Sequence, residues 1–115
     1  MADTPGLDPE DAKLVTLARA ARGRTGAFEA AAVRDRDGRT YAAVTVTLPS
    51  LALSALQLAV AMAVASGTTG LEAAAVVTPA TEVERDGLAA VRDLTPGAPV
   101  LLANPEGTLL VTLSG

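Results

Sequence analysis

The chain contains no cysteine, no histidine and no tryptophan, and its only aromatic side chains are Phe28 and Tyr41. Without cysteine there is no disulfide and no thiolate nucleophile, a usage that fits a reducing cytosol and a cytoplasmic protein. Without histidine there is no imidazole base, so Ser50, Ser54, Ser66 and Ser114 lack a partner for an ordinary catalytic triad. Together the two absences exclude a zinc site of the usual Cys/His type. A core without aromatics has to be built from Ala, Val and Leu, each adding modest burial at about 0.8 kcal/mol per methylene. The 115 residues suit a single domain, and the half that are apolar suffice for a core without staples. Marginal monomer stability, and a tendency to self-associate, follow from the small side chains. Lys13 is the sole lysine beside eight arginines, a bias typical of a GC-rich genome.

Positive charge is also scarce. The net charge of −4 argues against nucleic acid as a partner, and Arg34, Arg36 and Arg39 alternate with Asp35 and Asp37 instead of clustering. Arg19, Arg22 and Arg24 form the densest basic stretch, which suits a solvated helix end favoured by the dipole. Residues 2–10 are polar and acidic, unlike a signal peptide. The apolar run at residues 48–65 has the length of a membrane span, but it carries Pro49, Ser50, Ser54 and Gln57 and is rich in Ala. A helix buried against a sheet and a partner subunit explains it better, and no membrane partner is expected.

Along the chain, residues 1–7 read as a flexible N-terminus and residues 8–115 as one domain. Asp8 caps a helix with Pro9 at its first position and acids in its first turn, and Leu14, Leu17, Ala18 and Ala21 carry it to about Arg22. Residues 28–33 form a strand, joined by an Asp37-Gly38 turn to an alternating strand over residues 40–48. Pro49-Ser50 then opens the apolar helix, with Ser50 as its cap, and Gly67 stops it. Residues 71–78 form a continuous apolar strand of the kind covered on both faces. Thr81 and Glu84 make a capping box for a third helix ending near Asp93. Strands at residues 99–103 and 108–113 follow, separated by the Asn104-Pro105-Glu106-Gly107 turn. The order α-β-β-α-β-α-β-β predicts a three-layer α/β/α domain on a five-stranded mixed sheet.

Three stretches of this pattern resemble the small cytidine deaminases. Ala30-Ala31-Ala32-Val33 followed by Asp37-Gly38-Arg39-Thr40-Tyr41-Ala42-Ala43-Val44 is similar to the family's Gly-Ala-Ala-hydrophobic…Asp-Gly-Arg-x-Tyr-x-Gly segment. Ser54-Ala55-Leu56-Gln57-Leu58-Ala59, then Ala63-Val64 and Gly67, follows its Cys-Ala-Glu-Arg-x-Ala…Ala-Val…Gly spacing. Ala75-Val76-Val77-Thr78 and Val100-Leu101-Leu102…Asn104…Gly107 match its third and fourth strands. The resemblance implies a cytidine deaminase-like fold over residues 9–107 and, because the central helix lies at subunit contacts in that family, a homodimer or homotetramer. Leu53, Leu56, Leu58, Val60 and Met62 are expected to divide between core and interface.

In such a family zinc is held at the starts of two helices, and a nearby glutamate that is not a ligand moves the proton. The resemblance places Ser54 at the first ligand position and Leu56 at the glutamate. With Gly87 matched to the glycine of a Pro-Cys-Gly-x-Cys string, Asp86 and Ala89 take the cysteine positions. The ribose-binding Asn and Glu correspond to Thr45 and Thr47. The aromatic beside the base falls at Ala27, with Phe28 one residue out of register and so on the opposite strand face. An alcohol and one carboxylate do not make a tetrahedral zinc site, and leucine moves no proton. The expectation is a protein without cofactor or enzyme activity, kept for a structural or interaction role. The alternative is a small-ligand sensor in a remnant pocket near Thr45, Thr47 and Ser54. A deaminase with a non-standard site comes last. Glu82, Glu84 and Asp86 read as complements to a helix N-terminus rather than as a cation site.

Overall fold

The computed structural model describes residues 7–114. The expected free N-terminus thus lies outside the described residues except for Leu7, which packs half-buried against the core. Helix α1 (Pro9–Thr25) starts as its sequence dictates: the Asp8 carboxylate accepts from the Glu10 amide at 2.7 Å, and Pro9 needs no donor. It runs through Gly23 and closes at Gly26, whose φ of 71° is the left-handed cap.

Strands β1 (Ala30–Asp35) and β2 (Thr40–Val44) form the expected hairpin. Its turn is organised by Asp35, whose buried carboxylate accepts from the Asp37 and Arg39 amides at 2.9 Å each and from the Tyr41 hydroxyl at 3.2 Å. The strand expected over residues 40–48 breaks at Thr45. Its distal part becomes β3 (Val46–Leu48), which pairs with β4 (Leu51–Leu53) in a separate two-stranded ribbon. Pro49-Ser50 is therefore the ribbon's turn, not a helix start, and the Ser50 cap is corrected to Ser54. Leu51-Ala52-Leu53 fits either period by composition, whereas Ser54 and Gln57 form a complete capping box that fixes α2 at Ala55–Ala65. No helix among the described residues is long and apolar enough to cross a membrane.

Strand β5 (Leu71–Val77) leads to α3 (Arg85–Leu94), then to β6 (Val100–Ala103) and β7 (Leu109–Leu113). Apart from the inserted ribbon, the order of elements is the expected one. The five-stranded sheet runs β2-β1-β5-β6-β7, with β5 and β6 parallel and the other neighbours antiparallel. Helix α1 covers one face, over Ala30, Ala32, Ala73, Ala75 and Leu101. The other face carries Ala31, Val33, Ala74, Val76 and Leu102 and is covered by α2 and α3. Alanines pair across the centre, Ala32 with Ala75 on one side and Ala42 on the other. Their missing bulk brings both helix layers close to the backbone. Arg34 ties α1 to the sheet through Asp11 at 2.9 Å and Glu72 at 2.7 Å.

This close layering has a measurable consequence. Ala75→Leu adds volume where no space exists and is expected to cost about 1–3 kcal/mol. Glu72→Gln, at the more exposed end of the ion pair, is expected to cost less than about 1 kcal/mol. Urea unfolding followed by circular dichroism measures both.

Candidate functional site

The N-termini of α2 and α3 meet beyond the carboxyl end of β5, and each exposes amides that no helical carbonyl accepts. Glu84 is the N-cap of α3: one carboxylate oxygen accepts from the Gly87 amide at 2.7 Å and the other from the Asp86 amide at 2.8 Å. This corrects the expected Thr81–Glu84 box, because Glu84 itself caps and Thr81 lies in the preceding bend. Ser54 caps α2, accepting from the Gln57 amide at 3.1 Å while its own amide donates to the Gln57 side chain at 3.0 Å. The Ser54 hydroxyl lies close enough to the Glu84 carboxylate to favour its ionised form. Burial alone would raise the Glu84 carboxyl, but the Ser54 hydroxyl and the Asp86 and Gly87 amides outweigh it and hold it below the ordinary glutamate value. A carboxylate thus caps the positive end of α3 beside the start of α2.

Space at this junction is minimal. A Cβ on Gly87 would stand 2.7 Å from the Leu56 Cβ and 3.1 Å from both Glu84 Oε1 and Ser54 Oγ. Leu56 is wholly buried in the core beneath it.

The residues expected from sequence divide accordingly. Ser54 and Leu56 come together, and Gly87 is the contact between them. Asp86 is exposed and serves Glu84 through its backbone amide, while Ala89 is exposed and has no donor to offer. Thr45 sits exposed at the break between β2 and β3, one register step beyond the Val46–Leu53 pair and so alongside Ser54. Thr47 is exposed on the ribbon opposite Ala52. Phe28 is 62% exposed. The candidate interface residues also separate. Val60 is buried in the chain's own core and leaves the candidate surface, Leu53 and Leu58 are half-buried, and Met62 is exposed. The donor set does not fit zinc: the Ser54 oxygen is committed to a cap, the Asp86 side chain is outside the junction, and the remaining positions are hydrocarbon.

Two acids at the junction carry no local signature of a site. Glu84 was legible only as a helix complement. Glu29, immediately before β1, is 8% exposed; its Oε1 accepts from the Thr78 hydroxyl at 3.1 Å, and its Oε2 has no partner. Burial, with a smaller contribution from the Glu84 charge, raises its carboxyl above the usual range despite the Thr78 hydrogen bond.

With this geometry in hand, comparison with known proteins is decisive for the family. The family model "Cytidine deaminase-like" matches residues 7–107. The chain belongs to the cytidine deaminase-like family. Its fold is similar to that of the cytidine deaminase from Burkholderia pseudomallei, with a TM-score of 0.76 at 24% identity over 89% of this chain and 90% of that one. The Mycobacterium leprae cytidine deaminase gives a TM-score of 0.69 at 20% identity, covering 93% of this chain and 94% of that one. The Mycobacterium tuberculosis cytidine deaminase gives 0.68 at 21% identity, covering 89% of each. No curated protein matches the sequence. At these identities the likeness establishes the cytidine deaminase-like fold and leaves the chemistry to this chain's own residues.

Those residues make the junction's energetics testable. Ser54→Ala removes the α2 cap and is expected to cost about 1 kcal/mol. Gly87→Ala gains about 1 kcal/mol of helix propensity but forces the Leu56 Cβ to shift, and overpacking at about 1–3 kcal/mol is expected to win. Denaturant midpoints of the two variants decide both.

Proposed function

We propose that this member of the cytidine deaminase-like family is a zinc-free, non-catalytic protein with a structural or protein-interaction role, acting as a homo-oligomer in the cytoplasm. The observation that carries the reading is the closed junction of the two helix starts: Glu84 caps α3, Ser54 caps α2, and Leu56 is sealed beneath Gly87 between them. The resemblance puts metal and catalytic acid at these helix starts; here the helix ends are satisfied by capping groups instead. Leucine neither donates nor accepts a proton, and Ser54 and Asp86 are a poor donor pair for zinc.

Support for self-association comes from charge. Residues 40–71 contain no charged side chain, yet Leu48, Leu51, Met62 and Val64 within them are between 36% and 57% exposed. Uncharged surface of this kind on a small domain is characteristic of a protein contact.

Metal analysis of protein prepared with added zinc, a cytidine deamination assay, and thermal shift with cytidine and uridine test the first part. Substoichiometric zinc, no turnover and no nucleoside stabilisation are expected; stoichiometric zinc or turnover overturns it. Light scattering tests the second, where a mass two or four times the 11.5 kDa chain is expected. Paired Met62→Glu and Val64→Glu substitutions are expected to shift that mass to one chain, because each buries a charge in an apolar contact.

A further inference from the structure

The two edges of the main sheet are finished differently. At one edge β2 lies between α1 and α2. At the other, β7 takes its packing chiefly from β6, and among the described residues no strand pairs with its outer row of amides and carbonyls. Strands in this position are ordinarily guarded by a lysine, a proline or a bulge. Residues 107–114 contain no charged side chain and no proline. The one irregularity, where the pairing shifts between Leu102 and Ala103, lies near the start of β7 and leaves Val111, Thr112 and Leu113 in regular register. Leu110 and Val111 are 52% and 42% exposed.

The two faces of β7 differ. Val111 and Leu113 pair with Leu102 and Val100, so they share the sheet face that carries α2 and α3. There they line, with Leu88, a cleft of about 300 Å³ whose one charged lining residue, Glu82, is exposed. Thr112 pairs with Leu101 and so lies exposed on the α1 face.

Such an edge is complementary to itself. Facing residues of an antiparallel pair must both direct their backbone groups across the gap, and those groups alternate along a strand. Two identical strands related by a two-fold axis therefore meet with one residue opposite its own copy. With Thr112 at the axis, Val111 of each copy stands opposite Leu113 of the other on the cleft side. The other face then carries a Thr–Thr pair, which sheets favour. Centring on Val111 instead sets Leu109, which packs on the α1 side, against Leu113 on the α3 side. Centring on Leu113 sets Val111 against position 115, a glycine. Charge selects the same occupant. The chain has a net charge of −4, yet this strand offers a partner no charge to pair with, and a second copy brings none in return. A charged strand from another protein would leave its own charges unanswered at this edge.

We propose that β7 pairs antiparallel with β7 of a second copy about a two-fold axis at Thr112, joining the two five-stranded sheets into one continuous sheet. The contact is separate from the uncharged surface of α2 and the ribbon, because α2 packs over β1 and β2 at the opposite edge. The facing stretch, residues 110–114, is short, so a single such contact is weak. Two of them acting together between pairs of chains already joined through α2 hold far more tightly. That strengthening, and nothing else in the proposal, rests on the self-association proposed above.

A chain without cysteine allows the register to be tested by crosslinking. Thr112→Cys supplies a single thiol that meets its own copy at the axis, where facing Cα atoms about 4.5–5.5 Å apart are within disulfide range. Mild oxidation is expected to give a covalent pair from Thr112→Cys. Leu110→Cys, also exposed but facing Ser114 of the second copy, is expected to give none. The Thr112→Cys pair is expected again in a chain that also carries Met62→Glu and Val64→Glu, which separates failure at β7 from failure at the α2 surface. Adding Val111→Lys is expected to abolish the pair. In the wild-type chain, alternate β7 amides are expected to be protected from hydrogen exchange, with the protection fading on dilution. No covalent pair from Thr112→Cys, equal pairing by Leu110→Cys, or pairing that survives Val111→Lys overturns the proposal. So do outward-facing β7 amides that exchange freely at every concentration.

Discussion

Two helix N-termini brought within contact of each other are the constraint around which this molecule is arranged. Each carries unaccepted amides and a positive dipole end, so their approach is unfavourable unless something negative or hydrogen-bond accepting lies between them. The Glu84 carboxylate meets that need for α3 with its two oxygens, and the Ser54 hydroxyl meets it for α2 by accepting from the Gln57 amide. The approach is possible only because Gly87 has no side chain, and Leu56 is buried by the same contact. Loosening this junction would separate α3 from α2, with which α3 shares far more of its packing than with the sheet.

The alanine-lined sheet imposes the second condition. Close packing of both helix layers gains dispersion contacts but leaves little apolar area per residue to bury. Helix α2 reflects this: Ala55, Leu56, Ala59, Val60 and Ala63 face inward, while Met62 and Val64 remain outside. Its apolar circumference exceeds what one sheet face can cover, so the proposed self-association would complete a core that the single chain leaves short.

Much of the fold was legible because its strongest signals are local. The Asp8-Pro9 start, the Asp37-Gly38 turn and the uninterrupted Leu71–Val77 strand all act within a few residues. The ribbon was missed where composition is silent, since Leu-Ala-Leu before Ser54 suits a helix or a strand. The Ser54–Gln57 capping box is present in the sequence, yet the run of apolar residues before it draws the helix start to Ser50. Glu84 reads as a helix complement, which is what it is, but its placement beside Ser54 at Gly87 is a tertiary relation across 30 positions. Glu29 could not be found at all from its own neighbourhood. Its burial depends on Thr78, 49 residues away, and nothing in Ala27-Phe28-Glu29-Ala30 announces an acid that will face inward.

The junction also explains why the expected site residues depart from the family pattern as a set. A metal held between two helix starts and a carboxylate capping them are competing solutions to one electrostatic problem, and the space admits a single one. Cysteine at position 54 alone would remove the hydroxyl that caps α2. Donors at positions 86 and 89 would still face Gly87 packed on Leu56, with no proton-transfer group at position 56. On the proposed reading the capped junction is therefore a stable alternative to the catalytic one.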